Sequence, residues 1–295
     1  MKQIDCKADY VVVRDLLIGG IRLERGDRLP KDSPMRQLPQ RLELLCKRGH
    51  LIVCGPEESA QEAIPTAVYN SVSVVTMSYY SDIFERLRQS LDVHEPDARK
   101  IVVTSGELNG AELDGWTVVE GVAPFQFSKA ANIGIAAAGT DDVLLVNDDC
   151  ELTTPVVTTL QKICVRRPEI GILSPQIIGQ VGNSLQGSGI PLGANLSYSA
   201  RHLCFVCVYI PRKTIDLVGL LDERFTGYGK DDADYCIRVQ NAGLKLAVTP
   251  MVRVVHGGFG KLACSSSYLR QMTFDEYRSS NREMRKLLTE KWGRR

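Results

Sequence analysis

"DDVLLVNDDCEL", residues 141–152, holds the run that decides the fold. Val143 to Val146 are four consecutive apolar residues bounded by Asp142 and Asn147, the pattern of a central parallel strand buried on both faces. The strand exits directly into Asn147, Asp148 and Asp149. In open α/β sheets ligands sit beyond the carboxyl ends of the strands, so this exit marks the expected crevice. Two adjacent carboxylates there need compensation. A hard divalent ion with oxygen ligands, Mg²⁺ or Mn²⁺, would supply it. A solvated turn in which Asn147 or Asp148 caps the next helix satisfies the same stretch.

Working outward, strands alternate with helices from about residue 70, the sign of a sheet covered on both sides. "SVSVVTM" (71–77) reads as a buried strand and "SDIFERLRQSLDV" (81–93) as a helix capped by Ser81 or Asp82. "KIVVTSG" (100–106) is the next strand, and the "FSKAANIGIAAAG" stretch (127–139) a helix ended by glycine. "TPVVTTLQKICVRRP" (154–168) is a further helix with Pro155 near its first turn. Residues 178–199, rich in Gly, Ser and Asn, read as a long mobile loop of the kind that covers sites. "KLAVTPMVRVVHGG" (245–258) is a late strand, and a basic helical tail starts near 273.

Residues 1–66 form a separate small α+β module without a catalytic cluster, suited to docking or packing. Its "ADYVVVRDLLIGGIRLERGDRLP" (8–30) gives two strand-like runs with glycine turns, and residues 33–55 a helix stopped by Gly49 and then a strand. The division is therefore 1–66, 67–265 and 266–295: module, main domain and tail.

The 295 residues are 44% hydrophobic and 24% charged, which places the chain among globular proteins rather than disordered ones. No apolar run approaches a membrane span, and the first residues lack a signal-peptide core, so the expected location is cytoplasmic. Nine scattered cysteines then read as reduced thiols. Cys204 and Cys207 make one Cys-x-x-Cys inside "CFVCVYI", where a buried strand is favoured over zinc. A basic head and tail flank an acidic middle, either to hold a polyanion or as solvated surface.

A second acidic cluster lies in "ERFTGYGKDDADYCIRVQNAGLKL" (223–246), where Asp231, Asp232 and Asp234 follow Gly-Tyr-Gly and helical spacing begins. Acids in a first turn complement the helix dipole, and that alone could account for them. Alternatively, one carboxylate is a positioned base whose proton affinity its neighbours raise. His256 stands at the end of the late strand, before two glycines. His50, His94 and His202 have no comparable setting.

The stretches 72–91, 125–152 and 221–258, in this order and spacing, resemble the family-two glycosyltransferases of the GT-A fold, over residues 72–260. The third is also similar to the acceptor-side block of beta-1,4-galactosyltransferases. The resemblance implies a Rossmann-like, mostly parallel sheet flanked by helices. It implies an inverting, metal-dependent transfer of a sugar from a nucleotide diphosphate sugar, with uridine the expected nucleotide, to an acceptor hydroxyl. By it Asp149 and His256 bind Mn²⁺ or Mg²⁺, and Asp232 is the base with Asp231 beside it. Ser78, Tyr79, Ser105, Lys129, Asn132 and Asp148 would face the donor. Asn147 departs from the family's first aspartate, and "VVTSGE" (102–107) lacks the paired aspartates that contact the base.

Glycan is the expected acceptor. The stretches 19–30 and 41–51 resemble small modules of bacteriophage proteins, which would make hydroxymethylated DNA in an infected bacterial host a second acceptor. A sugar nucleotidyltransferase would need a glycine-rich phosphate loop that "TMSYYSD" (76–82) does not have. A nucleotide-sugar-binding protein without turnover is the non-enzymatic alternative.

Overall fold

The computed structural model describes residues 9–12, 16–18, 21–23, 51–54, 69–191, 193–257 and 267–293. The chain divides into two compact units, 1–68 with 191–193, and 69–190 with 194–295. In the first, strands β1 (Asp9–Val12) and β4 (Leu51–Cys54) pair antiparallel, with Asp9 opposite Cys54. Strands β2 (Leu16–Ile18) and β3 (Ile21–Leu23) form a tight hairpin. The region expected to give two strand-like runs thus gives three strands. The helix expected before Gly49 lies outside the described residues.

The second unit is built on a nine-stranded mixed sheet. Four parallel strands make one half: β8 (Asp142–Asn147), β5 (Val72–Met77), β6 (Arg99–Thr104) and β7 (Trp116–Glu120), side by side in that order. Strand β12 (Cys207–Ile210) pairs antiparallel with β8 and with β10 (Ile170–Gly179), and β13 (Lys245–His256) runs parallel to β10. The two reversals cancel, so β5, β8 and β13 all point their carboxyl ends the same way. Short strands β9 (Cys150–Leu152) and β11 (Ser197–Ser199) pair antiparallel with β13.

The apolar runs behave as period-2 strands covered on both faces demand. Val74, Leu144 and Val146 join one core with Phe84, Leu87 and Leu160, from helices α1 (Ser81–His94) and α3 (Val157–Arg166). Val75, Val143 and Leu145 join the opposite core with Ile135, Tyr235 and Val239, from helices α2 (Phe127–Ala138) and α5 (Asp231–Asn241). Leu144 and Leu145 are both fully buried, so truncating either to alanine is expected to cost about 2–5 kcal/mol. Helix α2 lies so close to the sheet that a Cβ on Gly134 would stand 2.3 Å from Val75 Cγ1.

The remaining helices are α4 (Arg212–Val218), α6 (Ser267–Arg270) and α7 (Phe274–Trp292). Strands β7 and β10 and helices α4 and α6 have no counterpart in the sequence reading. The 178–199 segment, expected to be a mobile loop, contains the end of β10, an Asn183-centred turn and β11. Gln186 and Asn183 tie it down, Gln186 Nε2 donating to Ser174 Oγ and the Cys204 carbonyl, and Asn183 Nδ2 donating to the His202 carbonyl.

The helix starts need a correction. Neither Ser81 nor Asp82 caps α1: its N-cap is Tyr80, and Ser81 donates from backbone and side chain to Glu107, a residue of the next loop. At α3, the N–H groups of Val156 and Val157 donate to Glu95 Oε1, and Pro155 lies before the cap. At α4, Arg212 N–H donates to Asp142 Oδ1. Three helix amino termini are thus satisfied by carboxylates from elsewhere in the chain, Glu95 and Glu107 in loops and Asp142 at the start of β8, which bring negative charge to the positive end of each dipole.

Candidate active site

At the carboxyl ends of β5 and β8 the chain leaves the sheet through Ser78 and through Asp148–Asp149. Asp148 is 2% exposed and uses both oxygens: Oδ2 accepts from Ser78 Oγ at 2.9 Å and from Ser267 Oγ, and Oδ1 accepts from Ser267 N–H at 3.3 Å. It is a strut tying β5, β8 and α6 together. Burial pushes its pKa up to about 7, the serine bonds working against that rise and Asp149 adding to it.

Asp149 is different. It is 7% exposed, and its Oδ1 is buried without a hydrogen-bond partner among the described residues. The register explains what faces it. β9 pairs with β13 so that Cys150 lies opposite His256, and Gly257 N–H donates to the Asp149 carbonyl at 3.1 Å. His256 Nε2 is thereby held 3.4 Å from Asp149 Oδ1. The other ring nitrogen, Nδ1, meets the Gln180 carbonyl, which can only accept, so Nδ1 carries the proton and the Nε2 lone pair faces the carboxylate in the neutral ring. Burial opposes protonation of His256, but Asp149 and the Gln180 carbonyl outweigh it and hold the imidazole above its usual pKa. An orphaned carboxylate oxygen beside an imidazole nitrogen whose partner atom is already fixed is a fitting pair of ligands for a divalent ion.

The second cluster opens α5. Gly229 and Lys230 both have φ of 77°, and Lys230 is the one non-glycine residue in that region among those described. This left-handed turn delivers Asp231, Asp232 and Asp234 into the first helical turn. Asp234 is fully buried and neutralised: it pairs with Arg238 at 3.1 Å and Lys291 at 2.7 Å, and accepts from Trp292 Nε1 at 2.7 Å. Asp231 and Asp232 have no such cations. Burial lifts both carboxyls above the usual range; each acid raises Asp231 further, while His202 and Lys230 restrain Asp232.

Tyr228 connects the clusters. Burial raises its hydroxyl's pKa first, then Tyr277, then Asp232, Asp149 and Asp231, so carboxylates of both clusters lie within electrostatic reach of one ring. The tail helix α7 holds this turn: Ser280 Oγ accepts from Tyr228 N–H at 2.7 Å, the rings of Tyr228 and Tyr277 meet edge-on at 4.7 Å, and a Cβ on Gly227 would strike Ser280 Oγ.

Among the other sequence candidates, Ser78 joins the site through Asp148. Tyr79 is half-buried beside Tyr80, its carbonyl accepting from Glu107 N–H. Ser105 donates to the Val122 carbonyl at 2.8 Å, bridging the exits of β6 and β7. Asn132 is saturated by Leu221 and Glu223, so it positions the loop before the Gly-Tyr-Gly turn. Lys129 is half-buried on α2. The sequence reading missed Ser267, Tyr228 and His202. His202 was set aside for lack of a setting, yet ligand atoms of His202, Cys204 and Asp232 all lie within 4.8 Å of one another.

No protein-family model matches the chain. Among curated proteins it is similar to an uncharacterized protein, y4gI, of Sinorhizobium fredii (strain NBRC 101917 / NGR234), at 25% identity over 188 residues, which are 53% of this chain and 21% of that protein. Among solved structures it is similar to the crystal structure of GalNAc-T7 with UDP, GalNAc and Mn²⁺, with a TM-score of 0.56 and 16% identity over 78% of this chain and 52% of that one. The chain therefore spans about a fifth of that curated relative and about half of that structure. No helix of the described residues is long and apolar enough to cross a membrane. A nine-stranded central sheet with flanking helices, a carboxylate exit from its central strand and this structural likeness together give the chain a GT-A-like fold.

Proposed function

We propose that the chain is a glycosyltransferase that moves a sugar from a nucleotide diphosphate sugar, a UDP-sugar, to an acceptor hydroxyl on a glycan, with inversion. Asp149 and His256 would hold Mn²⁺ in preference to Mg²⁺, because an imidazole nitrogen suits the softer ion. When bound, the ion neutralises the charge that develops on the departing diphosphate. Asp232 takes the proton from the acceptor hydroxyl as that oxygen bonds to the anomeric carbon. The bond from that carbon to the diphosphate oxygen breaks, and its electron pair leaves with the nucleotide. Burial raises the proton affinity of Asp232, as a base needs, and His202 and Lys230 limit that rise.

The observation that carries this reading is the segment before β12: the Val206 carbonyl accepts from Asn147 N–H at 2.9 Å, next to Asp148 and Asp149, and Cys204, two residues earlier, has its Sγ within 4.8 Å of an Asp232 oxygen. A carboxylate beside an imidazole and another at a helix start would then serve the two sides of one transfer, ion-assisted departure and general-base attack. Incubation with UDP-sugars, Mn²⁺ and glycan acceptors should release UDP and give a product of inverted anomeric configuration. Asp232→Asn should lower turnover by about 10²–10⁴ while keeping donor affinity. A product that retains its configuration, or full turnover by that variant, would take the base role from Asp232.

A further inference from the structure

The segment before β12 carries a thiol, Cys204, that the proposed sugar transfer does not use, beside His202. The ligand atoms of His202 and Cys204, two residues apart, lie close together, and Leu203 between them is clamped to α5. Leu203 N–H donates to Cys236 Sγ, and the Cys236 thiol donates back to the Leu203 carbonyl. Cys236 stands four residues after Asp232, one turn along the helix, so the clamp brings His202 and Cys204 alongside Asp232. Their ligand atoms are mutually within 4.8 Å. Cys207, which a Cys-x-x-Cys zinc site would pair with Cys204, is wholly buried in β12 opposite Val146, as the buried-strand reading of this stretch expects. The Cys-x-x-Cys spacing is thus a coincidence of the strand, and the metal-competent spacing is His-x-Cys with a remote carboxylate.

We propose that His202, Cys204 and Asp232 form a second metal site, selective for a borderline-soft ion of the Zn²⁺ class, whose occupancy withdraws Asp232 from proton transfer. One imidazole, one thiolate and one carboxylate are a three-ligand zinc set with an open fourth position. Its sulfur separates it from the Asp149–His256 pair, which offers only oxygen and nitrogen, so the two sites sort ions by softness. Binding displaces the Cys204 thiol proton to solvent and converts Asp232 from a base into a ligand. The metal-binding half stands on geometry alone; the inhibitory half rests on the proposed role of Asp232.

Titrating the full chain with Co²⁺, with Mn²⁺ in excess, separates the two halves. One Co²⁺ per chain should bind with a thiolate-to-cobalt charge-transfer band that Zn²⁺ abolishes. The band should vanish in Cys204→Ser and survive in Asp149→Asn. Zn²⁺ affinity, by chelator competition, should fall at least about a hundredfold in Cys204→Ser and in His202→Ala, beyond the loss typical of outer-shell partners. In the wild type, Zn²⁺ but not Mn²⁺ should slow alkylation mapped to Cys204. No thiolate band, or one retained by Cys204→Ser, overturns the site. If the band behaves as stated, Zn²⁺ should inhibit sugar transfer in excess Mn²⁺ and leave Cys204→Ser uninhibited; equal inhibition of both overturns the regulatory half. The cobalt spectrum reads the site even if no UDP-sugar proves to be a donor.

Discussion

Asp148 and Asp149 stand at the end of a buried strand, Asp231, Asp232 and Asp234 in the first turn of a helix, and each cluster divides its members in the same way. In the first, Asp148 is locked by Ser78 and Ser267, while Asp149 keeps an unpartnered oxygen facing His256. In the second, Asp234 is locked by Arg238, Lys291 and Trp292, while Asp231 and Asp232 have no cation paired to them among the described residues. Each cluster contains a structural acid and a chemically available one, set side by side. The satisfied acid fixes the backbone, so its neighbour can stay unsatisfied without the turn collapsing around it.

The largest test of that division lies in the second cluster. Asp234→Asn leaves Arg238 and Lys291 facing a neutral amide in a buried position, which typically costs about 3–5 kcal/mol. With about 2–4 °C lost per kcal/mol in a unit of this size, the midpoint should drop by roughly 10 °C. Asp232→Asn should leave the midpoint unchanged or raised, because a half-buried acid with no ion pair among the described residues becomes a neutral isostere. Calorimetry on both variants checks the contrast; equal losses in both would erase it.

In the first cluster the contrast should appear with metal. Mn²⁺ at a hundred times its dissociation constant should stabilise the wild type by about 2.7 kcal/mol. Asp149→Asn should remove that gain and leave metal-free stability intact. Asp148→Asn should lower metal-free stability instead. A thermal shift with and without Mn²⁺ distinguishes them.

Asp148 also sets a pH dependence of a few kcal/mol at most. Its folded pKa is raised, mainly by burial, from 3.8 to about 7, so the folded state holds a proton that the unfolded state has released. Its contribution is complete below the unfolded value and is lost as pH rises through about 7. The metal-free protein should therefore be more stable at pH 5 than at pH 8, and Asp148→Asn should reduce the difference, leaving the part due to Asp231, whose carboxyl burial also lifts to about 7. A wild-type midpoint that rises across this window would contradict the assignment.

Much of this was legible in the chain because period-2 apolar runs and glycine stops are local signals. Val143 to Val146, Val74 and Val75, and the α5 spacing identified the sheet and its helices without any partner being known. The helix caps were not legible, since Glu95, Glu107 and Asp142 reach their helices across 26 to 70 residues. The same limit hid Ser267, which meets Asp148 across 119 residues, and His202, whose neighbours depend on the Leu203–Cys236 clamp. Strand β7 was missed because "WTVVE" is short and half-exposed, and carries no strong alternation. Residue pattern alone does not separate Asp148 from Asp149; the resemblance gives Asp149 the metal and Asp148 the donor, and the hydrogen bonds to Ser78 and Ser267 make Asp148 a strut.

The smallest effect tests why the second cluster tolerates a strained entrance. A left-handed conformation costs an L-residue about 1–2 kcal/mol, and glycine at position 230 would relieve it while losing about 0.5–1 kcal/mol through greater freedom of the unfolded chain. Lys230→Gly should therefore be more stable by up to about 1 kcal/mol, a rise of about 2–4 °C. A strained lysine next to glycine makes sense where its charge is needed, and Lys230 is among the groups that lower the pKa of Asp232. Lys230→Gly should then shift the acid limb of the pH–rate profile upward, and Lys230→Ala should shift it equally without the stability gain. If both variants leave the limb in place, the charge does not tune the base and the strain serves only the turn. If only the glycine variant moves it, the turn's geometry matters and the ammonium does not.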